Sequence, residues 1–454
     1  MKKRASLLLF LLIAGGACRE RPSTGPARTK TTPVASAGSA SRDPLQKARQ
    51  LALMPTRENA LVDQRLAQLT ALVRQHPQRL ATLIELGRAW LWKARETSDP
   101  GYYLNADACV ELALALAPGD RLALDLRALV LLNDHRFKDA YELAATLVER
   151  DPEAPMAWGS LSDALLELGE LERAERASDR MLDLKPNLPS YSRAAYFKWL
   201  HGDSAAAIEL SRLAIDAGND PKSPEPRAWV IVQTAMIFWH RGDLDGADAG
   251  FVSALAAVAD YPPALVGRGR VALARGDQKG ASDWLERAFR RSPLVETAWL
   301  LGQARELAGD EAGARAAFAD AEREGRRSDR RTLSLLFSSR DQRAQEALEL
   351  AQKERATRGD VQTEDALAWA LYRNGRFAEA NAASERALRF GTQDARLMFH
   401  QGAIWLALGR EEAGARLIRK ALALNPHFDI REAAEARRLL ARKSAWNFER
   451  VARG

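Results

Sequence analysis

The chain has 454 residues, of which 46% are apolar and 28% charged, so it can bury large hydrophobic cores. Its net charge is +7, but six of those positive charges lie in residues 1–43. The nearly neutral remainder lacks the basic face that contact with phosphates requires, and we predict no nucleic-acid partner.

The first 18 residues have the pattern of a secretory signal peptide. Lys2, Lys3 and Arg4 precede an uncharged, leucine-rich run over residues 5–17. At about 13 residues, this run is shorter than the roughly 20 that cross a bilayer. We therefore expect the chain to be exported.

The apolar run ends in small residues followed at once by Cys18. This arrangement resembles the lipobox of bacterial lipoproteins, although the family prefers an aliphatic residue where Gly15 stands. The resemblance implies that Cys18 is lipidated and anchors the protein on the periplasmic side of the cell envelope, with the outer membrane as the expected location. The alternative is ordinary signal cleavage, with Cys18 as a free thiol.

Residues 19–43 contain little that could enter a core. Pro22, Pro26 and Pro33 are accompanied by a run of alanine, serine and glycine over residues 35–41. This composition predicts a disordered tether between the anchor and the folded body.

From Pro44 onward, apolar residues recur at helical spacing, and the chain repeats itself. Pro118, Pro152 and Pro186 stand 34 residues apart, a period typical of stacked helix pairs. Glycine followed by a charged residue recurs at similar spacing, which predicts the end of one helix and the start of the next. These turn glycines are Gly169, Gly202, Gly242, Gly276, Gly309, Gly375 and Gly409.

The repeat resembles the tetratricopeptide repeat, which has leucine, glycine and an aromatic residue on its first helix, alanines on its second and a closing proline. One of the clearest copies has Leu86, Gly87 and Trp90, with Ala113 and Pro118 at the matching places. The resemblance implies an all-α, right-handed superhelical solenoid. We count about ten units in residues 80–426, inside a solenoid with helical caps over residues 44–442 and before a C-terminal tail at 443–454.

Nothing in the sequence indicates chemistry. The six histidines are scattered, and there is no metal-binding spacing, phosphate-binding glycine loop or serine-hydrolase elbow. Cys109 lies in a helical pattern as a small apolar residue. We predict no catalytic residue, no metal and no cofactor.

The resemblance implies that the first helices of the units line a concave groove. Projecting the groove-facing places onto this chain gives a set of aromatic and apolar candidates for binding a partner. These are Phe197, Trp229, Met236, Trp239, Trp299, Trp369 and Tyr372. The alternative is that the same side chains stack neighbouring units against one another.

These observations predict a cell-envelope lipoprotein that acts as a protein-interaction scaffold and binds protein or peptide partners in the groove. An alternative is a carbohydrate-binding or polysaccharide-export accessory solenoid, with tryptophans stacking on sugar rings. A hydrolase with an unrecognised site is a third class. The sequence leaves the partner and the oligomeric state open.

Overall fold

The computed structural model describes residues 44–56 and 60–452, with side chains up to residue 441. The predicted signal peptide, Cys18 and the tether lie outside these residues.

The described residues form 23 α-helices, one short 3-10 turn at Pro100–Tyr102 and no strand. The helices are α1 (Pro44–Ala52), α2 (Leu61–Gln75), α3 (Leu80–Thr97), α4 (Tyr103–Leu116), α5 (Arg121–Asn133), α6 (Phe137–Arg150), α7 (Pro155–Leu168), α8 (Leu171–Leu184), α9 (Leu188–Leu200), α10 (Ser204–Ala217), α11 (Glu225–His240), α12 (Leu244–Ala257), α13 (Pro262–Ala274), α14 (Gln278–Arg291), α15 (Val295–Leu307), α16 (Glu311–Ser328), α17 (Arg330–Ser339), α18 (Ala344–Arg355), α19 (Val361–Arg373), α20 (Phe377–Ala387), α21 (Ala395–Ala407), α22 (Glu411–Leu424) and α23 (Ile430–Ala452).

Twenty of these helices form ten consecutive hairpins, from α3–α4 to α21–α22. The predicted all-α, right-handed superhelical solenoid is confirmed. Helices α1 and α2 precede the array, and α23 follows it. The boundary that we placed at residue 442 falls inside α23, because residues 430–452 contain neither glycine nor proline and continue as one helix to Ala452.

Four of the ten hairpin turns use a glycine and an aspartate in succession. Gly242 has a φ of +73°, which ends α11 without the strain that a side chain would bring. The next residue, Asp243, accepts a 2.9 Å hydrogen bond from the Gly246 backbone N–H and so caps α12. The same glycine–aspartate pair stands at residues 202–203, 276–277 and 309–310.

The superhelix closes on itself after about five and a half repeats of 34 residues. Side chains in loops between hairpins donate hydrogen bonds to carbonyl oxygens at the ends of first helices that lie 186 to 194 residues earlier. We call this line of contacts the seam. Its bonds run from Ser292 Oγ to Ser98 O (2.7 Å), Gly359 N to Glu167 O (2.7 Å), Thr392 Oγ1 to Leu200 O (2.8 Å) and Asn425 Nδ2 to Trp239 O (2.8 Å).

Three turn glycines pack directly against the seam. A Cβ atom on Gly169, Gly202 or Gly242 would stand 2.5, 2.8 or 2.7 Å from a backbone carbonyl oxygen of the facing loop. By contrast, a Cβ on Gly409 would meet nothing within 4 Å. Glycine is therefore required at Gly169, Gly202 and Gly242 for two reasons. A Cβ atom has no space beside the seam, and the backbone has a positive φ.

Alanine variants at Gly202 and Gly409 separate the effect of the close contact at the seam from the effect of the left-handed backbone. Gly202 and Gly409 share a φ of +77°, so each alanine variant loses about 1 kcal/mol from the left-handed backbone. We expect Gly202→Ala to lose about 1–3 kcal/mol more, because its Cβ overlaps the Gly391 carbonyl oxygen. Urea unfolding followed by circular dichroism measures both variants, and equal losses would contradict the close contact at the seam.

Candidate functional site

A cavity of about 320 Å3 lies beside the seam, between the inner faces of the first helices. Its walls come from α7, α9, α11, α13, α15, α17, α19 and α21, together with the loop before α23. Six aromatic side chains line it: Tyr196, Trp199, Trp229, Trp239, Trp299 and Phe428. We call it the central cavity.

A second cavity of about 260 Å3 adjoins the central cavity. Both are lined by Trp239, Arg270 and Phe428, and the second continues to Ile430 and Ala433 at the start of α23. The two cavities are therefore neighbouring chambers that share one aromatic wall.

Four of the seven predicted groove residues come together in the central cavity. Trp239 and Trp299 are 5% and 6% exposed, whereas Trp229 and Met236 are half-buried. All four line the same space, although they lie on two different helices, α11 and α15. An apolar wall is thus assembled from separate hairpins.

The other three candidates do not line the central cavity. Phe197 is buried in a cluster with Leu166 and Leu397. Trp369 is fully buried, with its ring stacked on Tyr372 at a centroid distance of 4.6 Å. These side chains pack neighbouring hairpins together, which is the alternative that the sequence left open.

Sequence reasoning missed Tyr196, Trp199 and Phe428. Trp199 lies two residues beyond the chosen Phe197 on α9, so a different choice of helix register would have found it. Phe428 follows the last hairpin and reaches the cavity only because the seam brings its loop against α11. The sequence pattern of a single repeat cannot predict a residue that reaches the cavity only through the seam.

The basic side chains of the cavity wall lie beside acidic ones. Arg270 contacts Glu296, His240 Nδ1 lies 3.1 Å from Asp394 Oδ2, and Arg331 Nη1 lies 3.2 Å from Asp360 Oδ1. The side chains that could pair with a charged ligand are therefore already paired with one another. Such a ligand would lose its water on entering the cavity and gain little in return.

Glu167 and Asp360 meet at the seam beside Arg358. Burial raises the pKa of Glu167 to about 7, even though Arg358 lies 2.5 Å away. Burial also favours a raised pKa for Asp360, but Arg358 and Arg331 outweigh it and hold the pKa at about 2. The two guanidinium groups thus favour the charged form of Asp360 where the two turns of the superhelix meet, whereas burial outweighs Arg358 at Glu167.

A second polar network lies in the core and joins four helices. His400 Nδ1 is 2.8 Å from Asp365 Oδ1, and its Nε2 is 3.3 Å from Glu432 Oε2. The other oxygen of this carboxylate, Glu432 Oε1, accepts a hydrogen bond from the Ser339 hydroxyl group. The histidine and both carboxylates have no more than 2% of their surface exposed, so no substrate reaches them. We assign this network to stability, because it ties α17, α19, α21 and α23 together.

Among the residues that the structure describes, no group of three or more histidine, cysteine or acidic side chains could hold a metal ion. None of the described helices combines the length and the apolar character needed to cross a membrane.

Comparison with known proteins points to one family. A sequence profile of the tetratricopeptide repeat matches residues 126–189 and 366–427. Tetratricopeptide repeat protein 33 of Xenopus laevis is 36% identical to this chain over 74 residues. That match covers 16% of this chain and only 29% of the relative.

One solved structure shows the same fold. A chain of the APC/C hetero-tetramer Cut9–Hcn1 superposes with a TM-score of 0.50 at 14% identity, over 80% of this chain and 63% of that chain. PilW, a type IV pilus biogenesis factor, gives a TM-score of 0.39 at 17% identity, over 44% of this chain and 90% of its own. At this level of identity, the Cut9–Hcn1 likeness shows the fold alone.

The pH dependence of stability tests the buried His400 network. Burial favours a lowered pKa for His400, but Asp365 and Glu432 outweigh it and raise the pKa to about 9. The stabilisation is therefore complete below pH 6.5 and is lost as the pH rises through 9, by about 3 kcal/mol in total.

We expect the free energy of unfolding of the wild type, relative to His400→Gln, to fall by that amount between pH 6.5 and 9.5. His201→Gln serves as the control, because His201 is exposed and meets only Glu175 and Phe390 in the described structure. A constant difference between wild type and His400→Gln across this range would show that His400 is not charged in the fold.

Proposed function

We propose that this chain, which is a tetratricopeptide repeat protein, is a lipid-anchored scaffold that holds other proteins in the bacterial cell envelope. The fold is one that supports protein–protein interaction. The observation that carries the proposal is the convergence of Trp229, Met236, Trp239 and Trp299 on one cavity. We assign the chain no catalytic role.

The central cavity supplies what a partner-binding site needs. Tryptophan and methionine bury a large apolar area when a partner side chain fills the space beside them. Trp229 and Met236 are half-buried, so they keep surface that a partner can still cover. A segment of a partner protein that inserts here would gain most of its binding energy from these contacts.

The envelope location rests on the pattern of residues 1–18. Acyl chains on Cys18 would fix the protein at the membrane, on the periplasmic side and at the outer membrane. Residues 19–43 would then let the solenoid reach partners near that surface, at a high effective concentration.

Replacing one cavity tryptophan tests the partner site. Partners are first identified by crosslinking the full-length protein in its native envelope, and their affinities are then measured with purified proteins. We expect Trp229→Ala to weaken binding at least tenfold, because it removes an apolar anchor from the wall of the central cavity.

Trp284→Ala is the matched control. Trp284 is also a half-buried tryptophan, but it lies on α14 between the guanidinium groups of Arg268 and Arg287, at 4.8 and 4.9 Å, and does not line the cavity. Binding to this variant should stay within about twofold of wild type. A partner that binds Trp229→Ala as tightly as the wild type would refute the cavity as its site.

Replacing Cys18 tests the anchor. We expect the wild type to fractionate with membranes and its processing to be blocked by globomycin, whereas Cys18→Ala is released as soluble protein. Cys109→Ala should remain with the membranes, because Cys109 is fully buried in the solenoid. If the wild-type protein is soluble, the proposed lipid anchor is wrong, whereas the proposed partner site in the cavity is not affected.

A further inference from the structure

We infer that the N-terminal end of the solenoid rests on the surface of an anionic phospholipid bilayer. The surface concerned belongs to residues 44–56 and 60–79, which contain α1 and α2, and we call these residues the N-terminal cap. The inference rests on the proposed lipid anchor and states how the folded body meets the membrane. Three observations carry it: exposed apolar side chains, an excess of basic charge, and the place where the predicted tether joins the fold.

Exposed apolar surface is concentrated on the N-terminal cap. Among the side chains that the structure describes, eleven large apolar ones are exposed, and four of these belong to the cap. The cap makes up less than a tenth of those residues. Its four exposed side chains, which are between 38% and 52% accessible, are Leu45, Met54, Leu61 and Leu72.

On α2, the exposed leucines belong to one stripe along the helix. Leu61 and Leu72 are 11 residues apart, which is three helical turns, so they share a face. Arg65 and Gln68 lie between them on that face and are also exposed, whereas Leu69 belongs to the core. The end unit of a repeat array normally presents a polar outer face, because no further repeat covers it. A face with two exposed leucines therefore departs from that rule.

The N-terminal cap is also basic, and its basic side chains face solvent. Its one acidic residue, Asp63, is buried, with its Oδ1 atom 3.0 Å from Lys93 Nζ. Glu85 of α3 contacts Arg65 in an exposed ion pair, which water and salt screen. The exposed basic residues of the cap are Lys47, Arg49, Arg65, Arg74 and Arg79.

The nearly neutral total charge of the solenoid conceals this surface. The N-terminal cap has five basic residues and one acidic residue, whereas residues 80–454 have a net charge of −3. Leucine and methionine side chains among cations, with no exposed anion of the cap beside them, suit the interface of an anionic bilayer. The apolar side chains enter the boundary between headgroups and acyl chains, and the cations remain among the phosphates.

The position of the N-terminal cap favours a membrane over a protein partner. The predicted tether ends at α1, so the cap is the part of the folded body nearest to Cys18 along the chain. A disordered segment of that length has a mean end-to-end distance of about 30 Å. The anchor therefore keeps the cap beside the bilayer at a high effective concentration. Without acyl chains the contact is reversible, so Cys18→Ala still separates from membranes.

A fluorophore on α2 tests the inference on the full-length, lipidated protein in vesicles. An environment-sensitive label is attached to Gln68→Cys, in the stripe between Leu61 and Leu72. Cys109 is fully buried and an acylated Cys18 has no thiol, so the label reacts at one place. Gln352→Cys, an exposed glutamine position on α18, carries the control label. The vesicles contain equal parts of phosphatidylglycerol and phosphatidylcholine, or phosphatidylcholine alone.

We expect the Gln68→Cys label to report an apolar environment on the anionic vesicles and the Gln352→Cys label to remain in water. Phosphatidylcholine alone, or about 0.5 M NaCl, should lower the ratio of bound to free cap at least tenfold, because the attraction of several cations is lost.

Apolar variants test the other half of the contact. Leu61→Gln combined with Leu72→Gln should lower the same ratio at least tenfold, since two apolar side chains no longer enter the interface. The matched control combines Leu213→Gln with Leu408→Gln, two exposed leucines outside the cap, and should stay within about twofold of the parent. All four side chains are exposed, so the fold tolerates their replacement.

Contrary results are distinct. A Gln68→Cys label that stays in water on anionic vesicles, or a Gln352→Cys label that shifts equally, would overturn the inference. An unchanged ratio on phosphatidylcholine would reject the role of the cations, and an unchanged ratio in the Leu61→Gln, Leu72→Gln variant would reject the apolar contact. Two labels per chain would show that Cys18 is free, and the lipid anchor would then fail even where the cap still binds the vesicles.

Discussion

The hydrogen bonds of the seam are the interaction on which the rest of the molecule depends. The last carbonyl groups of a helix have no partner within that helix. Here, the ends of α3, α7, α9 and α11 receive donors from loops one superhelical turn later, as when the Gly359 N–H bonds the Glu167 carbonyl oxygen at 2.7 Å. A repeat array normally has contacts only between neighbours, and the seam adds contacts between distant repeats. It thereby places the later loops against the first helices that line the central cavity.

The donors of the seam differ in kind along the superhelix. The hydroxyl groups of Ser292 and Thr392 serve α3 and α9, the backbone N–H of Gly359 serves α7, and the longer amide side chain of Asn425 serves α11. The second cavity opens beside the last of these bonds, where Trp239 forms part of its wall.

The solenoid could be predicted from the sequence because its signals are local. A glycine–aspartate turn, such as Gly242–Asp243, ends one helix and caps the next within four residues, and the 34-residue period repeats that signal. The seam could not be predicted in this way. Gly202 and Gly409 look alike in the sequence and share the same φ, yet only Gly202 faces another turn of the superhelix. That difference depends on curvature summed over many repeats.

The candidate site was predictable only in part, for the same reason. Helical spacing indicated Trp229, Met236, Trp239 and Trp299, because each lies on a first helix whose inner face the repeat defines. It could not separate these residues from Trp369, which has a similar place in its repeat but is covered by Tyr372 and His400. Whether an inward-facing aromatic residue lines a cavity or fills a core depends on what the facing turn places against it.

Trp239 shows how closely the seam and the site are connected. Its carbonyl oxygen accepts the Asn425 bond that holds the loop before α23, and its side chain lines both cavities. The same loop carries Phe428, which forms the shared wall. The site is therefore incomplete until the last hairpin has closed against α11, more than 180 residues earlier. A partner that fills the cavity contacts both turns of the superhelix at once, so its binding energy also stabilises the closed seam.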